Sequence, residues 1–131
     1  MNELKVFTQE EANQLLPVLI QLLDRLHSKR DQVAELEVQI DASELVSGTS
    51  SQELVQLMAK HRQLVAEFYD AVDQIHAHGC FLKDVDLGLI DFYGVVDGRI
   101  VYLCWRLGEE RIEYWHEVDE GYTARQPFET E

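Results

Sequence analysis

Two runs of apolar residues, spaced alternately three and four apart and separated by a short polar break, constrain this chain more than any other feature. In the first, positions 15, 19, 22, 26, 29, 33, 36 and 40 are all apolar except Lys29. In the second, positions 54, 57, 61, 64, 68, 71 and 75 depart from large apolar residues only at His61 and Ala71. That spacing is the seam of a helix packed lengthwise against another helix. Between them lies "SELVSGTSS", residues 43–51, whose small, turn-forming residues break the pattern. Folding one run back on the other sets Leu19 against Ile75, Leu22 against Val72, Leu26 against Phe68 and Val33 against His61. The seams then agree in register, which predicts an antiparallel helical hairpin of coiled-coil type. Lys29 and His61 read as register-fixing residues on the seam.

The helix ends are marked locally. Thr8-Gln9-Glu10-Glu11 has the spacing of a capping box, with Val6 or Phe7 closing over the first turn from outside, and Ser50-Ser51-Gln52-Glu53 offers a second box. Pro17 removes a backbone donor and crowds the carbonyl of Asn13, which predicts a kink or a fresh helix start there. Gly79 is a favoured left-handed stop. Helix 1 is therefore expected over 8–42 and helix 2 over 51–78. Between Leu15 and Leu26 the first helix is apolar nearly all round, whereas beyond His27 only the seam is apolar. The end near Gly79 should be covered by the rest of the chain, and the loop end should extend as an arm of ~25 Å at 1.5 Å per residue.

After Gly79 the period changes. "GLIDFYGVV", "RIVYLCWRL" and "RIEYWHEV" are rich in β-branched and aromatic residues and are separated by Asp97-Gly98 and by Gly108-Glu109-Glu110. They predict a small antiparallel meander of three strands over 80–120, with a possible fourth at Phe81–Lys83, followed by a packed tail over 121–131. In the middle run Val101, Leu103 and Trp105 alternate with Ile100, Tyr102, Cys104 and Arg106, so both faces should be covered, one by the helix 1 region and the other by the tail or a second chain. The whole is an α+β fold in a single domain over 1–131, with the meander packed on the open end of the hairpin.

"VFTQEEANQLLP", "GCFLKDVDLGLIDF" and "VYLCWRLGEERIEYWHEVDEGYTARQPF" together resemble the bacterial family of uncharacterised proteins known as domain of unknown function 2203. The likeness covers nearly the whole chain and is weakest in the helix-loop-helix middle. The family carries no assigned activity, cofactor or catalytic residue, so the resemblance implies no functional residue here.

Eleven basic against 25 acidic residues give a net charge of -14. Such a chain is expected to bind neither nucleic acid nor an anionic membrane surface, because phosphate recognition needs clustered Lys and Arg. No stretch approaches the roughly 18 apolar residues of a membrane span, and "MNELKVFTQEE" has no export signal. The expected location is cytoplasmic, with Cys80 and Cys104 as buried thiols rather than a disulfide.

Three constellations bear chemistry. Cys104 with His116 as base, oriented by Glu117 or Asp119, would activate a thiol, but a cysteine alternating with Ile100 and Tyr102 fits better as a buried small hydrophobe. His76, His78 and Cys80 supply metal-ligand types at a spacing that points residues about 200° apart on a helix, and two histidines at a helix C-terminus also complement its dipole. Trp105, Arg106, Tyr114, Trp115, His116 and Arg125 are the most binding-like set, since guanidinium groups stack on aromatic faces and grip carboxylates. The alternative is that the aromatics fill the core while Arg106 and Arg125 pair with neighbouring acids. The sequence assigns no catalytic residue, cofactor or metal. It favours a non-enzymatic protein-interaction or self-association module, a homodimer first. A binder of a small anionic ligand near Arg106, His116 and Arg125 is the alternative, and a metal-dependent enzyme, which needs His76, His78 or His116 to converge with Cys or carboxylates, is the second.

Overall fold

A computed structural model describes residues 5–47 and 51–128. Two helices packed together, α1 (Gln9–Ser47) and α2 (Gln52–Ala77), are followed by a five-stranded antiparallel sheet. Its strands are β1 (Phe81–Asp84), β2 (Leu89–Val96), β3 (Arg99–Arg106), β4 (Tyr114–Glu117) and β5 (Gln126–Pro127), neighbours in chain order throughout. The fold is α+β. Contacts divide the chain into two compact units, Met1–Gln21 with Gln74–Glu131, and Leu22–Asp73.

The start of α1 is fixed by its capping box. The Glu11 amide donates to Thr8 Oγ1 at 3.0 Å and the Thr8 amide donates to Glu11 Oε1 at 2.8 Å. Those bonds hold the Glu11 carboxyl below its usual pKa, chiefly through the Thr8 amide. The helix does not restart at Pro17, which lies inside it, and it continues past residue 42 to Ser47, so Ser43 to Ser47 extend the helix rather than open the loop. At the second helix the expected cap Ser50 lies outside the described residues. Ser51 Oγ accepts from the Leu54 amide at 3.0 Å, capping the first turn of α2.

In the hairpin unit every seam position of α2 from Leu54 to Ala71 is buried or half-buried, as are Leu22, Leu26, Lys29, Val33, Leu36 and Ile40 of α1. The two polar seam residues span the helices. Lys29 Nζ lies 2.9 Å from Glu67 Oε2, and His61 Nε2 lies 3.3 Å from Glu37 Oε1. As position numbers rise in α1 their partners fall in α2, which is the antiparallel order that the seams predict. Both pairs are partly exposed, so their contribution is to register more than to stability.

In the sheet unit β2 and β3 pair along their full length, from Leu89 opposite Arg106 to Val96 opposite Arg99. The two-residue turn between them puts Asp97 at φ 52° and Gly98 at φ 77°, the left-handed pair that a type I′ hairpin requires. One face of the sheet carries Ile90, Phe92, Val101, Leu103, Trp105 and Trp115, all buried. Phe7 sets its ring edge-on to Phe92 at 5.3 Å, and the Phe7 amide donates to the Tyr93 carbonyl. Gln9 and Asn13, on the first turns of α1, bond the carbonyl and amide of Ile112 at 2.6 and 2.7 Å. The strand at Phe81–Asp84 is present, and the tail adds a fifth strand that the sequence pattern does not reveal. "RIEYWHEV" contributes only Tyr114–Glu117.

Gly94 is fixed by proximity: a Cβ there would lie 2.5 Å from Leu103 Cδ2 and 2.6 Å from its Cγ. Leu103 is buried and has no room to yield. Gly94→Ala is therefore expected to cost about 1–3 kcal/mol of stability, read as a lower midpoint in urea unfolding at unchanged slope.

Candidate functional site

The second face of the sheet carries polar groups where an ordinary sheet core would be apolar. Asp91 and Cys104 stand directly opposite one another on β2 and β3, and His116 lies on β4 opposite Tyr102. Strand alternation points these side chains to one face. All three are buried, Asp91 and His116 at 2% exposure and Cys104 at 0%. His116 Nε2 lies 3.3 Å from Asp91 Oδ1 and 3.2 Å from Oδ2, and His116 Nδ1 lies 2.9 Å from the Glu117 carbonyl oxygen. A carbonyl only accepts, so Nδ1 carries a proton and the imidazole is held by its own backbone.

Positive groups flank the cluster. Lys83 Nζ is 3.9 Å from Asp91 Oδ2 and sits over the Tyr102 ring at 4.3 Å. Phe81, Tyr93 and Tyr102 form an aromatic wall, with Tyr93 and Tyr102 stacked at 5.1 Å and Phe81 edge-on to both. Burial pushes the Asp91 carboxyl above its usual range, against the opposing pull of His116 and Lys83. The Cys104 thiol is pushed up to about 12, first by burial and then by the neighbouring Asp91 charge.

Of the six residues singled out in sequence, the structure brings four to this face and sends two to the other. Trp105 and Trp115 belong to the apolar face, where Trp105 Nε1 donates to the Glu109 carbonyl at 2.9 Å and Arg99 stacks over Trp115 at 5.6 Å. Arg125 lies over the Tyr114 ring at 4.1 Å and the Tyr122 ring at 4.4 Å. It is also clamped by Glu109, with Nη1 and Nη2 donating to the two carboxylate oxygens at 3.0 and 2.7 Å. Arg106 is exposed and donates to the Tyr122 hydroxyl at 3.2 Å. The Arg125 guanidinium thus already faces Glu109, and the His116 ring faces Asp91.

The carboxylate that meets His116 is Asp91, not Glu117 or Asp119. The Glu117 side chain pairs with Arg99 instead, Nε donating to Oε1 at 3.0 Å. Asp91 escaped the sequence reading because it lies 25 positions from His116 and joins it only through the pairing of three strands. Its signal was an acid inside the β-rich run "GLIDFYGVV". Among the described residues, Asp91, Cys104 and His116 are the one group of three whose metal-ligating atoms all lie within 4.8 Å of one another. His76, His78 and Cys80 do not form one. His76 Nε2 accepts from the Leu82 amide at 3.2 Å, and the Cys80 thiol donates to the Ile75 carbonyl at 3.3 Å.

The chain is thus an α+β protein with a paired-helix unit and a sheet unit that buries a carboxylate, a thiol and an imidazole together. It belongs to the family described as "Uncharacterized conserved protein (DUF2203)", whose model matches residues 5–128. No curated protein and no solved structure matches it.

Cys80 and Cys104 are both free and buried, and burial raises the Cys80 thiol, like that of Cys104, to about 12. Thiol reagents are expected to label neither residue in the folded chain and both after denaturation, scored by intact mass. The Cys80 thiol keeps its proton more tightly when folded than unfolded. Its contribution to stability is therefore complete below the unfolded value of 9.0 and is lost as pH rises towards about 12. Urea midpoints taken across that window should fall, and fall less in Cys80→Ala.

Proposed function

We propose that this protein is a non-enzymatic, self-associating interaction module of the bacterial cytoplasm, whose paired-helix unit docks on a second copy. The observation that carries this reading is a second apolar stripe on α2. Positions 55, 58, 62, 65, 69 and 72 repeat the three-and-four spacing one step round from the seam, and all but Arg62 are Val, Met or Tyr. Val55, Met58 and Tyr69 are 60%, 47% and 59% exposed. A soluble helix that carries two apolar stripes has a use for both.

Beside this stripe runs a groove between the helices, floored by Val33, Ala34, Ile40, Met58, Val65 and Phe68, with hollows of about 300 and 500 Å³ along it. Arg30, Glu37, Asp41 and Arg62 border it, both signs on one surface. A two-fold pairing sets such a surface against itself, base to acid, as an isologous dimer needs. The net charge of -14 opposes the approach of two copies, so salt should tighten the dimer by screening that repulsion. Two unbridged thiols suit a reducing compartment.

Analytical ultracentrifugation of the intact chain is expected to give a dimer that strengthens with added salt. The double change Met58→Glu with Tyr69→Glu should give a monomer with unaltered helical circular dichroism. A wild-type chain that stays monomeric over the whole concentration and salt range would overturn the reading.

A further inference from the structure

The buried cluster of the sheet unit sets an oxygen, a sulfur and a nitrogen that can ligate a metal within 4.8 Å of one another. The Glu117 carbonyl accepts from Nδ1–H, so Nε2 is the ring atom turned to Asp91. Either a proton or a metal ion can stand between Nε2 and the carboxylate. Nε2 sits almost symmetrically between Oδ1 and Oδ2, at 3.3 and 3.2 Å. That separation is close to the edge of a coordination tetrahedron, about 3.4 Å for bonds of ~2.1 Å.

The third donor settles the class of ion. Cys104 Sγ lies within 4.8 Å of both other ligand atoms, and one sulfur, one nitrogen and one oxygen make a set that magnesium and calcium, which take oxygen ligands, do not use. We propose that Asp91, Cys104 and His116 form a binding site for a divalent ion of the zinc class, with three protein ligands and a fourth position for water. The Nδ1–H to carbonyl bond is the outer contact that orients a metal-ligating histidine.

Charge balance allows the ion its place among Lys83 and Arg125. Without metal, the cluster is a thiol and an imidazole–carboxylate pair that shares one proton, neutral overall. With metal, the ion's two positive charges are matched by the Asp91 carboxylate and the Cys104 thiolate, again neutral, and two protons leave to solvent. Lys83, 3.9 Å from Asp91 Oδ2, therefore meets no added net charge, and its ammonium is exposed enough to swing aside. With all three ligands buried, the ion would tie β2, β3 and β4 together across the face opposite the apolar core. This site lies on strands that take no part in the paired-helix groove, so it stands or falls apart from self-association.

The test is titration of the intact, metal-free chain with cobalt(II), read as thiolate-to-cobalt charge-transfer absorption in the near ultraviolet, with zinc as competitor. The expected result is a band that saturates at one equivalent, is bleached by zinc, and persists in Cys80→Ser and His76→Ala. Cys104→Ser should lose it, and Asp91→Asn should weaken zinc binding at least about tenfold. Zinc should also raise the melting temperature of the wild-type chain. Because the wild-type titration needs no variant to fold, absence of a thiolate band in the folded wild-type chain overturns the proposal. So does a band that Cys104→Ser retains.

Discussion

The sheet unit depends on β3, a central strand whose two faces have opposite chemistry. Val101, Leu103 and Trp105 point into an apolar layer with Phe92, Ile90 and Trp115, while Tyr102 and Cys104 point into a layer that contains an acid and an imidazole. The register is tightly specified, because a slip of one residue would carry Cys104 and Tyr102 into the apolar core and turn Trp105 and Leu103 out of it, towards the face of Asp91 and His116. Burying one side chain of that size is worth about 1.5–3 kcal/mol, so a slip would forfeit several such contributions at once. The Asp97-Gly98 turn enforces the same register from the end of the hairpin, and Gly94 lets Leu103 sit against the β2 backbone. Local turn chemistry and packing therefore require the same pairing.

With register fixed, the polar cluster follows. Asp91 must stand opposite Cys104, and His116 must arrive one strand further on, within reach of the same carboxylate. Placing an acid and a histidine at 2% exposure is expensive, and each partner becomes necessary to the other: removing one leaves a buried group uncompensated, at roughly 3–5 kcal/mol. The tail helps close the cluster from the side. Arg125, clamped by Glu109 and stacked on Tyr114, also faces Cys104, and β5 pairs with β4 just beyond it. Glu109 follows Gly108, whose φ of 106° only glycine adopts easily, and its carboxylate serves both the Arg106 amide and the Arg125 guanidinium. One acid at a tight turn anchors the C-terminal segment to the edge of the sheet.

What was legible in the sequence was whatever is local or periodic. The Thr8–Glu11 box, the two seams and the Asp97-Gly98 turn each need only a few neighbouring residues, and each is present. Lys29 and His61 could be read as register devices because a polar residue on an apolar stripe has few other uses. At the start of α2 two serines stand side by side, and the sequence gives no reason to prefer the second, whose Oγ accepts from the Leu54 amide. The extension of α1 through Ser43–Ser47 was hidden by residues that favour turns in isolation. β5 was invisible for a different reason: a two-residue strand has no period, and Pro127 argues against a strand except at an edge, where it lies. Asp91 is the deepest miss, since its role exists only once three strands are assembled.

The binding-like composition near the C-terminus divides along the same line. Aromatic and arginine residues adjacent in sequence go to opposite faces, so a patch that looks continuous in one dimension is two structures in three. Trp105 and Trp115 supply core volume, whereas Tyr114, Tyr122, Arg106 and Arg125 form a stacked seal over the tail. Arginine suits that seal because its planar fork binds Glu109 with two parallel hydrogen bonds while its face rests on tyrosine, which lysine cannot do. The strongest convergence of chemistry lies elsewhere, where three residues far apart in the chain place a carboxylate, a thiol and an imidazole within one coordination sphere's reach. A sheet face that only had to exclude water would be met more simply by apolar side chains of the same volume. The choice of one oxygen, one sulfur and one nitrogen, with the ring held by a carbonyl so that Nε2 faces inward, is the physical reason to look for a cation there.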